Sequence, residues 1–275
     1  MSKVRRFMRI HMPFARAGLQ STITYRTNFI CYVLGDVLNS FIMFFLWVAV
    51  YKASGTGIMS GFTETEMILY IFVSFITSYL NHSSGAWELT EEIRDGSIAM
   101  RIIRPIDFER PYLFFELGDK IMAMYIVAVP AFVGIEIYRF VVTGLFQFNI
   151  INFLAFMFSI ALGYLLNFYI GISFAFIAFV TKYMWGLQMV KECIIGFLSG
   201  GMIPLNFLPA GLAEVLKMLP FASLTYTPTM IYMGKYSLNE TLLFMFMQVV
   251  WLLAFYALSK IIWRAVQNNL TVQGG

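Results

Sequence analysis

Six stretches of mostly apolar residues, each long enough to cross a lipid bilayer, take up most of this chain. They lie at approximately Phe29–Tyr51, Glu66–Gly85, Lys120–Val142, Asn152–Val180, Trp185–Pro204 and Glu240–Trp263. The hydrocarbon core of a bilayer is about 30 Å thick, and about 20 helical residues cross it. The pattern predicts an all-α membrane protein with six transmembrane helices, organised as one domain over residues 1–275.

The composition favours the same fold class. Of the 275 residues, 60% are hydrophobic and 12% are charged, and the mean hydropathy is +0.75. Soluble domains are about 45–50% apolar and about 25% charged, so a water-covered surface is excluded. The net charge of +4 follows from membrane orientation, and no nucleic-acid partner is expected.

The lysine and arginine residues fall on alternate sides of the six predicted spans. If the N-terminus is cytoplasmic, 15 of the 19 lie inside, and the four outside are Lys52, Arg139, Lys217 and Lys235. Cytoplasmic loops of membrane proteins carry the excess of basic residues. The positive-inside rule therefore predicts that both termini are cytoplasmic. The basic start is followed by polar residues rather than by a short apolar core, so no signal peptide is expected.

The segment before the first span, residues 1–28, is amphipathic. Its apolar residues recur at steps of three and four: Val4, Phe7, Met8, His11, Phe14 and Ala15. Basic residues fill the positions between them, which is typical of a helix in the cytoplasmic headgroup layer. The alternative is a basic tail that only orients the protein.

A charged cytoplasmic segment, residues 87–105, joins the second and third spans. Helix-favouring residues run to Arg94, Asp95-Gly96 supplies a turn, and Ser97 can begin a second short helix that Pro105 stops. That second helix carries apolar and cationic residues: Ile98, Met100, Arg101, Ile102, Ile103 and Arg104. An element of this kind is suited to docking into a groove of another protein. The alternative is a solvated hairpin that merely connects two spans.

A different kind of segment, residues 204–239, joins the fifth and sixth spans on the outer side. Gly200 and Gly201 loosen the end of the fifth span, and Pro204, Pro209 and Pro220 interrupt the chain that follows. So apolar a segment predicts short re-entrant helices that fold back into the outer leaflet, where neighbouring protein satisfies their backbone. A surface loop is the alternative.

Several polar residues lie within the predicted spans and are candidates for a transport pathway or for helix contacts. They are Asp36, Asn39, Ser74, Ser78, Asn81 and Ser199. Asp36 is the most notable, because an ionisable group in a span is costly and is a functional candidate by default. A structural pair or a polar helix contact remains the other interpretation for it.

Catalysis and metal binding have little support. Leu198-Ser199-Gly200-Gly201 spells the start of the signature loop of ABC ATPases, but the chain has no Gly-Lys-Ser/Thr loop that could cradle phosphates. The match is therefore a coincidence, and the chain is not expected to hydrolyse ATP. The histidines are isolated, so no metal site and no cofactor are expected in this chain.

Taken together, these features resemble the permease subunit of ABC-2 type exporters. The stretch from Glu92 to Pro105 looks like the coupling-helix region of that family, and Pro204, Pro209 and Leu219-Pro220 look like its outer proline motifs. The resemblance implies a half-transporter, in which two identical or related permeases bind two copies of an ATPase that carries ATP and Mg²⁺. It also implies that the first, second and fifth spans line the path, and that the protein lies in a bacterial plasma or inner membrane.

On this resemblance, the residues expected to couple to the ATPase are Arg94, Gly96, Ser97, Ile98, Met100, Arg101, Ile102, Arg104 and Pro105. The expected path-lining helices are rich in Phe, Met, Ser and Thr with almost no fixed charge, which suits an amphipathic drug, lipid, glycan-lipid or peptide better than an ion. The alternatives are an ion-coupled secondary transporter, an intramembrane lipid-modifying enzyme and a membrane anchor for a cytoplasmic partner.

Overall fold

The structure is a computed structural model that describes residues 3–103, 106–144, 148–181 and 183–269. Its α-helices are α1 Lys3–Thr24, α2 Arg26–Ser54, α3 Glu64–Asn81, α4 Gly85–Asp95, α5 Ile98–Ile102, α6 Arg110–Ala123, α7 Val129–Thr143, α8 Ile150–Ala175, α9 Trp185–Leu198, α10 Ala210–Met218, α11 Tyr226–Tyr232 and α12 Leu238–Asn269. An antiparallel pair of two-residue strands, β1 Ile58–Met59 and β2 Phe62–Thr63, joins α2 to α3.

Four helical segments of the described chain are long and apolar enough to cross a membrane: Arg26–Ser54, Arg110–Thr143, Ile150–Phe179 and Leu238–Gln267. They lie at the predicted first, third, fourth and sixth spans, which confirms an all-α membrane protein. The predicted second and fifth spans correspond to α3 and α9. Helix α3 has two glutamates in its first turn, which lower its mean hydropathy, and α9 is short, with 14 residues. For these reasons neither is counted among the four.

The helix of the predicted third span is continuous but irregular. Residues Met124–Ala128 form a π-helical turn between α6 and α7. Pro130 follows directly, in the first turn of α7. Proline has no N–H to donate and its ring clashes with the preceding turn, so a wider turn lets the helix continue through it.

The predicted second span and the segment after it form two separate helices. Helix α3 ends at Asn81, and α4 begins at Gly85. Thr63 and Glu66 form a capping box at the start of α3, as serine or threonine followed by glutamate three residues later often does. The sequence placed the end of the second span near Gly85, whereas the helix ends at Asn81, because the chain turns at residues 82–84 and the α4 N-terminus bonds to α6, as described below.

Helix α1 packs along α6 of the same chain at very close range. A Cβ atom added to Gly18 would overlap the carbonyl oxygen of Phe115, and one added to Gly118 would overlap that of Ala15. Only glycine at both positions lets the two backbones approach this closely. The predicted apolar side of α1 thus has a partner within the protein, where Phe7 and His11 contact Phe114.

Helix α8 is the centre of the packing. It contacts α3, α4, α11 and α12. In its most apolar stretch 67% of the residues are buried inside the protein, against 11% in that of α2. Helix α11 is buried along its whole length against α8 and α3. The core therefore lies around α8, and α2 presents most of its surface outward.

The segment after α9 contains the short helices that its proline residues predicted. Pro204 and Pro209 stand immediately before a 3-10 turn and before α10, and Leu219 has the extended conformation that a following proline requires. Gly200 has a φ of 78°, and its carbonyl oxygen accepts a hydrogen bond of 2.7 Å from the Tyr70 hydroxyl. Gly201 follows it beside Ser78.

Candidate functional site

The first candidate site is the hairpin of α4 and α5. Gly96 ends α4 with a φ of 79°, in the left-handed region that favours glycine. The Asp95 carboxylate accepts a hydrogen bond of 2.8 Å from the backbone N–H of Ser97, and its hydrogen bonds with Ser97 lower the pKa of Asp95. The turn predicted at Asp95-Gly96 is therefore present, and it sets the angle between the two helices.

An ion pair braces the hairpin against α6. The Arg101 guanidinium donates two hydrogen bonds of 2.5 Å to the Glu92 carboxylate, and the Tyr112 hydroxyl donates one of 2.7 Å to the same group. The guanidinium carbon also lies 4.2 Å from the centre of the Tyr112 ring. Paired charges with a stacked aromatic ring hold a planar guanidinium well. Arg101 therefore binds groups of its own chain.

The two sides of α5 differ in exposure. Ile98 is only 5% exposed and packs with Leu89, Phe108 and Tyr112 of its own chain. Met100 is 60% exposed and Ile103 is 74% exposed.

The expectation that Ile98 faces an ATPase therefore differs from the structure, because α5 lies back on α4 and α6 with that side chain inward. Residues three apart share a helix face, so Met100 and Ile103 lie together on the outer side. Ile102 is less exposed than both, at 37%. Arg94 pairs with Glu91, and Arg104 and Pro105 lie outside the described residues.

The second candidate site is a cavity of about 830 Å³ between α1, α2, α3, α6 and the end of α9. Helices α2, α3 and α9 occupy the positions of the predicted first, second and fifth spans. Asp36, Asn39, Ser74 and Ser78 all line its wall. The structure thus brings together four of the six polar residues that the sequence singled out.

The other two serve packing. The Asn81 side chain donates to the carbonyl oxygen of Leu224, and the Asn167 side chain donates a 2.8 Å hydrogen bond to the Asn81 carbonyl oxygen. The Ser199 hydroxyl donates to the carbonyl oxygen of Gly196 at 3.2 Å. These bonds join α3, α8 and the segment before α11, and they brace the end of α9.

The cavity wall also carries charged groups that the sequence analysis missed. Besides Asp36, the ionisable side chains are His82, Glu88, Asp119 and Lys120. The path-lining helices were expected to carry almost no fixed charge, and in this cavity Glu88, Asp119 and Lys120 come from α4 and α6, which the fold brings beside the α2–α3 pair. No short motif signalled this. Burial, and then the negative charge of Glu116, raises the pKa of Glu88 to about 7.

A buried carboxylate joins the two sites. Glu116 of α6 accepts hydrogen bonds from the Ser83 hydroxyl at 3.0 Å, from the backbone N–H of Gly85 and from the Tyr164 hydroxyl at 2.9 Å. Lys120, one turn further along α6, donates a 3.1 Å bond to the carbonyl oxygen of Tyr79. The start of α4 is thus bound to α6 and α8 at the edge of the cavity.

No cluster of three or more His, Cys, Asp or Glu side chains with a metal-binding arrangement occurs in the part of the chain that the structure describes.

Comparison with known protein families decides the broad identity of the chain. A family model described as "ABC-2 family transporter protein" matches residues 37–274. The chain belongs to the ABC-2 transporter family. Searches of the curated proteins and of the solved structures found no match.

An ABC-2 transporter protein is the membrane component of an ABC transporter. It works with an ABC ATPase, which is a separate component of the transporter. The family match covers the α4–α5 hairpin and the cavity-lining helices α3, α6 and α9, and it begins within α2. Helix α1, which packs on α6 and closes one side of the cavity, lies before the matched region. In the described part of this ABC-2 permease, α5 presents exposed apolar side chains, and a cavity with aromatic, polar and charged side chains lies between the helices.

Proposed function

We propose that this ABC-2 permease is the membrane subunit of an ATP-driven exporter, and that the Met100 and Ile103 side of α5 docks into the ATPase. The observation that carries the proposal is the exposure of these two apolar side chains on a hairpin whose other contacts are internal. A rigid element with exposed apolar side chains at its tip can transmit force to a partner groove. Ile98 and Arg101 hold the element in place instead of contacting the partner.

The contacts around α4 supply a route from the docking helix to the cavity. Helix α5 is braced on α4 through Arg101 and Glu92, and the α4 N-terminus is bonded to Glu116. Glu88 of α4 lies in the cavity wall itself. A displacement of α5 by ATPase closure would therefore shift α4 and change the shape of the cavity, which is how ATP hydrolysis on another chain would move a substrate.

The proposed topology has six spans with both termini in the cytoplasm. Helices α3 and α9 complete the six as shorter spans that pack against protein, and 15 of the 19 basic residues then lie inside. Helix α1 lies at the cytoplasmic surface, and α10 and α11 form the re-entrant segment on the outer side. The membrane is the bacterial plasma or inner membrane.

The proposed assembly contains two permeases, identical or related, and two ATPase subunits that bind ATP and Mg²⁺. The outward faces of α2 and α9 support it, because they leave large apolar side chains uncovered beside the open side of the cavity. A second permease would close the path there, and lipid would cover the rest. The proposed cargo is amphipathic, since the cavity combines aromatic rings with polar groups.

Co-purification tests the docking proposal. The tagged permease, solubilised from membranes of its own host, should bring down an ABC ATPase, and Met100→Asp with Ile103→Asp should abolish this association because it places charges in an apolar contact. The matched control is Leu212→Asp with Val215→Asp, which makes the same change on exposed residues of α10. Membrane insertion is checked for each variant.

Three results would reject the docking proposal. They are the absence of any ATPase from the wild-type preparation, an equal loss of ATPase in the α10 control, and labelling of Met100→Cys from outside intact cells. The last result would place α5 on the wrong side of the membrane.

An ion-coupled secondary transporter is the second candidate, because Asp36, Asp119 and Lys120 provide charges beside the cavity that such a mechanism requires. Transport in vesicles distinguishes the two. Uptake into inverted vesicles should require ATP and persist when the proton gradient is collapsed. Uptake that follows the gradient and ignores ATP would favour the second candidate.

A further inference from the structure

The cavity has the dimensions of a site for a drug-sized molecule. Its wall follows one face of α2 from Asn28 to Met43, which at 1.5 Å per residue is about 22 Å of helix. Its volume of about 830 Å³ lies within the roughly 300–1,000 Å³ that ligand sites of this kind occupy.

Aromatic rings dominate the apolar part of the wall. They come from both sides of the cavity, for example Phe29 and Tyr32 of α2 and Phe75 and Tyr79 of α3. Ring faces carry negative electrostatic potential, so they attract cations and also stack against flat ligands. The lining therefore favours an aromatic or alkylated cation over an anion of similar size.

The cavity wall carries more acidic than basic side chains among the described residues. The Lys120 Nζ donates a hydrogen bond to the Tyr79 carbonyl oxygen and lies 5.9 Å from the centre of the Tyr164 ring. Asp119 accepts a hydrogen bond from the Thr22 hydroxyl.

Asp36 differs from these groups. Within the described residues, the Asp36 carboxylate accepts no hydrogen bond from a side chain and forms no ion pair. The Ser40 hydroxyl donates its hydrogen bond to the backbone oxygen of Asp36 instead. A carboxylate in a predicted span that lacks a partner is costly unless a ligand or water neutralises it. Among the described residues of the wall, the basic Lys120 stands against three acidic side chains, Asp36, Glu88 and Asp119, so the cavity has an excess of acidic groups.

From this lining we infer that the cavity binds lipophilic organic cations, with Asp36 as the counter-ion and the surrounding aromatic rings as the apolar contact. The inference rests on the proposed exporter function, and it narrows the amphipathic cargo to molecules with a delocalised or quaternary positive charge. An anion of the same shape would meet the carboxylates of Asp36 and Asp119 and bind weakly.

Two probe ions of nearly the same size and shape but opposite charge test the inference. Tetraphenylphosphonium and tetraphenylborate would be compared by equilibrium dialysis against the purified permease in lipid nanodiscs, with empty nanodiscs subtracted. The permease should bind the phosphonium and should bind the borate at least about tenfold more weakly, a difference of about 1.4 kcal/mol. Asp36→Asn should weaken phosphonium binding at least about tenfold, and Asp36→Glu should largely preserve it.

Glu214→Gln is the control variant, because it removes one exposed carboxylate of α10 that is outside the cavity. It should leave phosphonium binding unchanged. Equal binding of the two probes, or phosphonium binding that Asp36→Asn changes less than twofold, would overturn the inference. These measurements need no ATPase, so their failure would leave the docking proposal standing, and loss of ATPase association would leave the binding result standing.

Discussion

Replacing Glu116 by glutamine should destabilise the protein and disconnect α4 from the helices around the cavity. The carboxylate is 2% exposed and accepts from three donors, on Ser83, Gly85 and Tyr164. Glutamine has nearly the same shape, so the change leaves no hole. It does remove the charge, and it places an NH2 group where a carboxylate oxygen had accepted hydrogen bonds.

The expected cost follows from the three bonds. The backbone N–H of Gly85 cannot accept a hydrogen bond, so the glutamine oxygen must face it, and the NH2 group then faces the Tyr164 hydroxyl, which can accept. Hydrogen bonds to charged groups contribute about 1.5–3 kcal/mol each and neutral ones about 0.5–1.5 kcal/mol. Loss of about 1 kcal/mol at each bond gives roughly 3 kcal/mol, and Lys120 also loses a neighbouring negative charge.

Thermal unfolding of purified protein in detergent, followed by tryptophan fluorescence, measures this cost. For a chain of this size about 1 kcal/mol lowers Tm by roughly 2–4 °C, so Glu116→Gln should lower the apparent Tm by about 6–12 °C. Glu91→Gln is the matched control, since its carboxylate is half exposed and pairs with the exposed Arg94. It should change the apparent Tm by about 2 °C or less, because exposed ion pairs contribute little.

A double-mutant cycle with Tyr164→Phe identifies the bond. Tyr164→Phe should cost about 1–2 kcal/mol in the wild type and distinctly less in the Glu116→Gln background, because its partner has already changed. If the route through α4 is correct, Glu116→Gln should also retain ATPase association while losing transport. An apparent Tm within 2 °C of the wild type would show that the carboxylate does not bind α4 as the structure describes.

Three further changes have clear expectations. Gly118→Ala places a methyl group against the Ala15 carbonyl oxygen and should loosen α1, lowering the apparent Tm by several degrees and exposing α1 to protease, whereas Gly134→Ala on the open face of α7 should be neutral. Glu88 has a folded pKa of about 7 against an ordinary value of 4.5, so ionising it destabilises the folded state as pH rises through this range. Glu88→Gln should therefore raise the apparent Tm at pH 8, by a few degrees after allowance for solvent screening, with the gain vanishing near pH 4.5; an equal shift at both values would contradict this. Tyr70→Phe removes the bond to the glycine turn after α9 and should cost about 1–2 kcal/mol, measured by the same melts against wild type.

The pattern of hydrophobic residues and the positions of glycine and proline predicted the main elements of the fold. The apolar runs of α2, α8 and α12 are long enough to cross a bilayer, where every backbone group must bond within its own helix. The turn at Asp95-Gly96 and the breaks at Pro204, Pro209 and Pro220 follow from the backbone limits of glycine and proline. Local rules were sufficient there because the causes are local.

Expectation and structure differ where a distant residue decides the outcome. The chain turns at residues 82–84 instead of continuing α3 because Glu116, more than 30 residues away, accepts the N–H of Gly85. Ile98 looked like a docking residue, yet it packs on Leu89 and Phe108 because α5 folds back on its neighbours. The amphipathic pattern of α1 indicated a buried side but could not indicate that α6 covers it.

By itself, the sequence determined that the protein is a helical membrane protein and that it resembles ABC-2 permeases, since length, hydropathy and short motifs are properties of consecutive residues. Only the tertiary structure decided which side of α5 is free and how α4 is bound to α6 and α8. It also decided that Asp36 shares a cavity with Asp119 and Lys120. These outcomes depend on which helix faces meet, and burial and charge balance arise only when segments far apart in the chain are packed together.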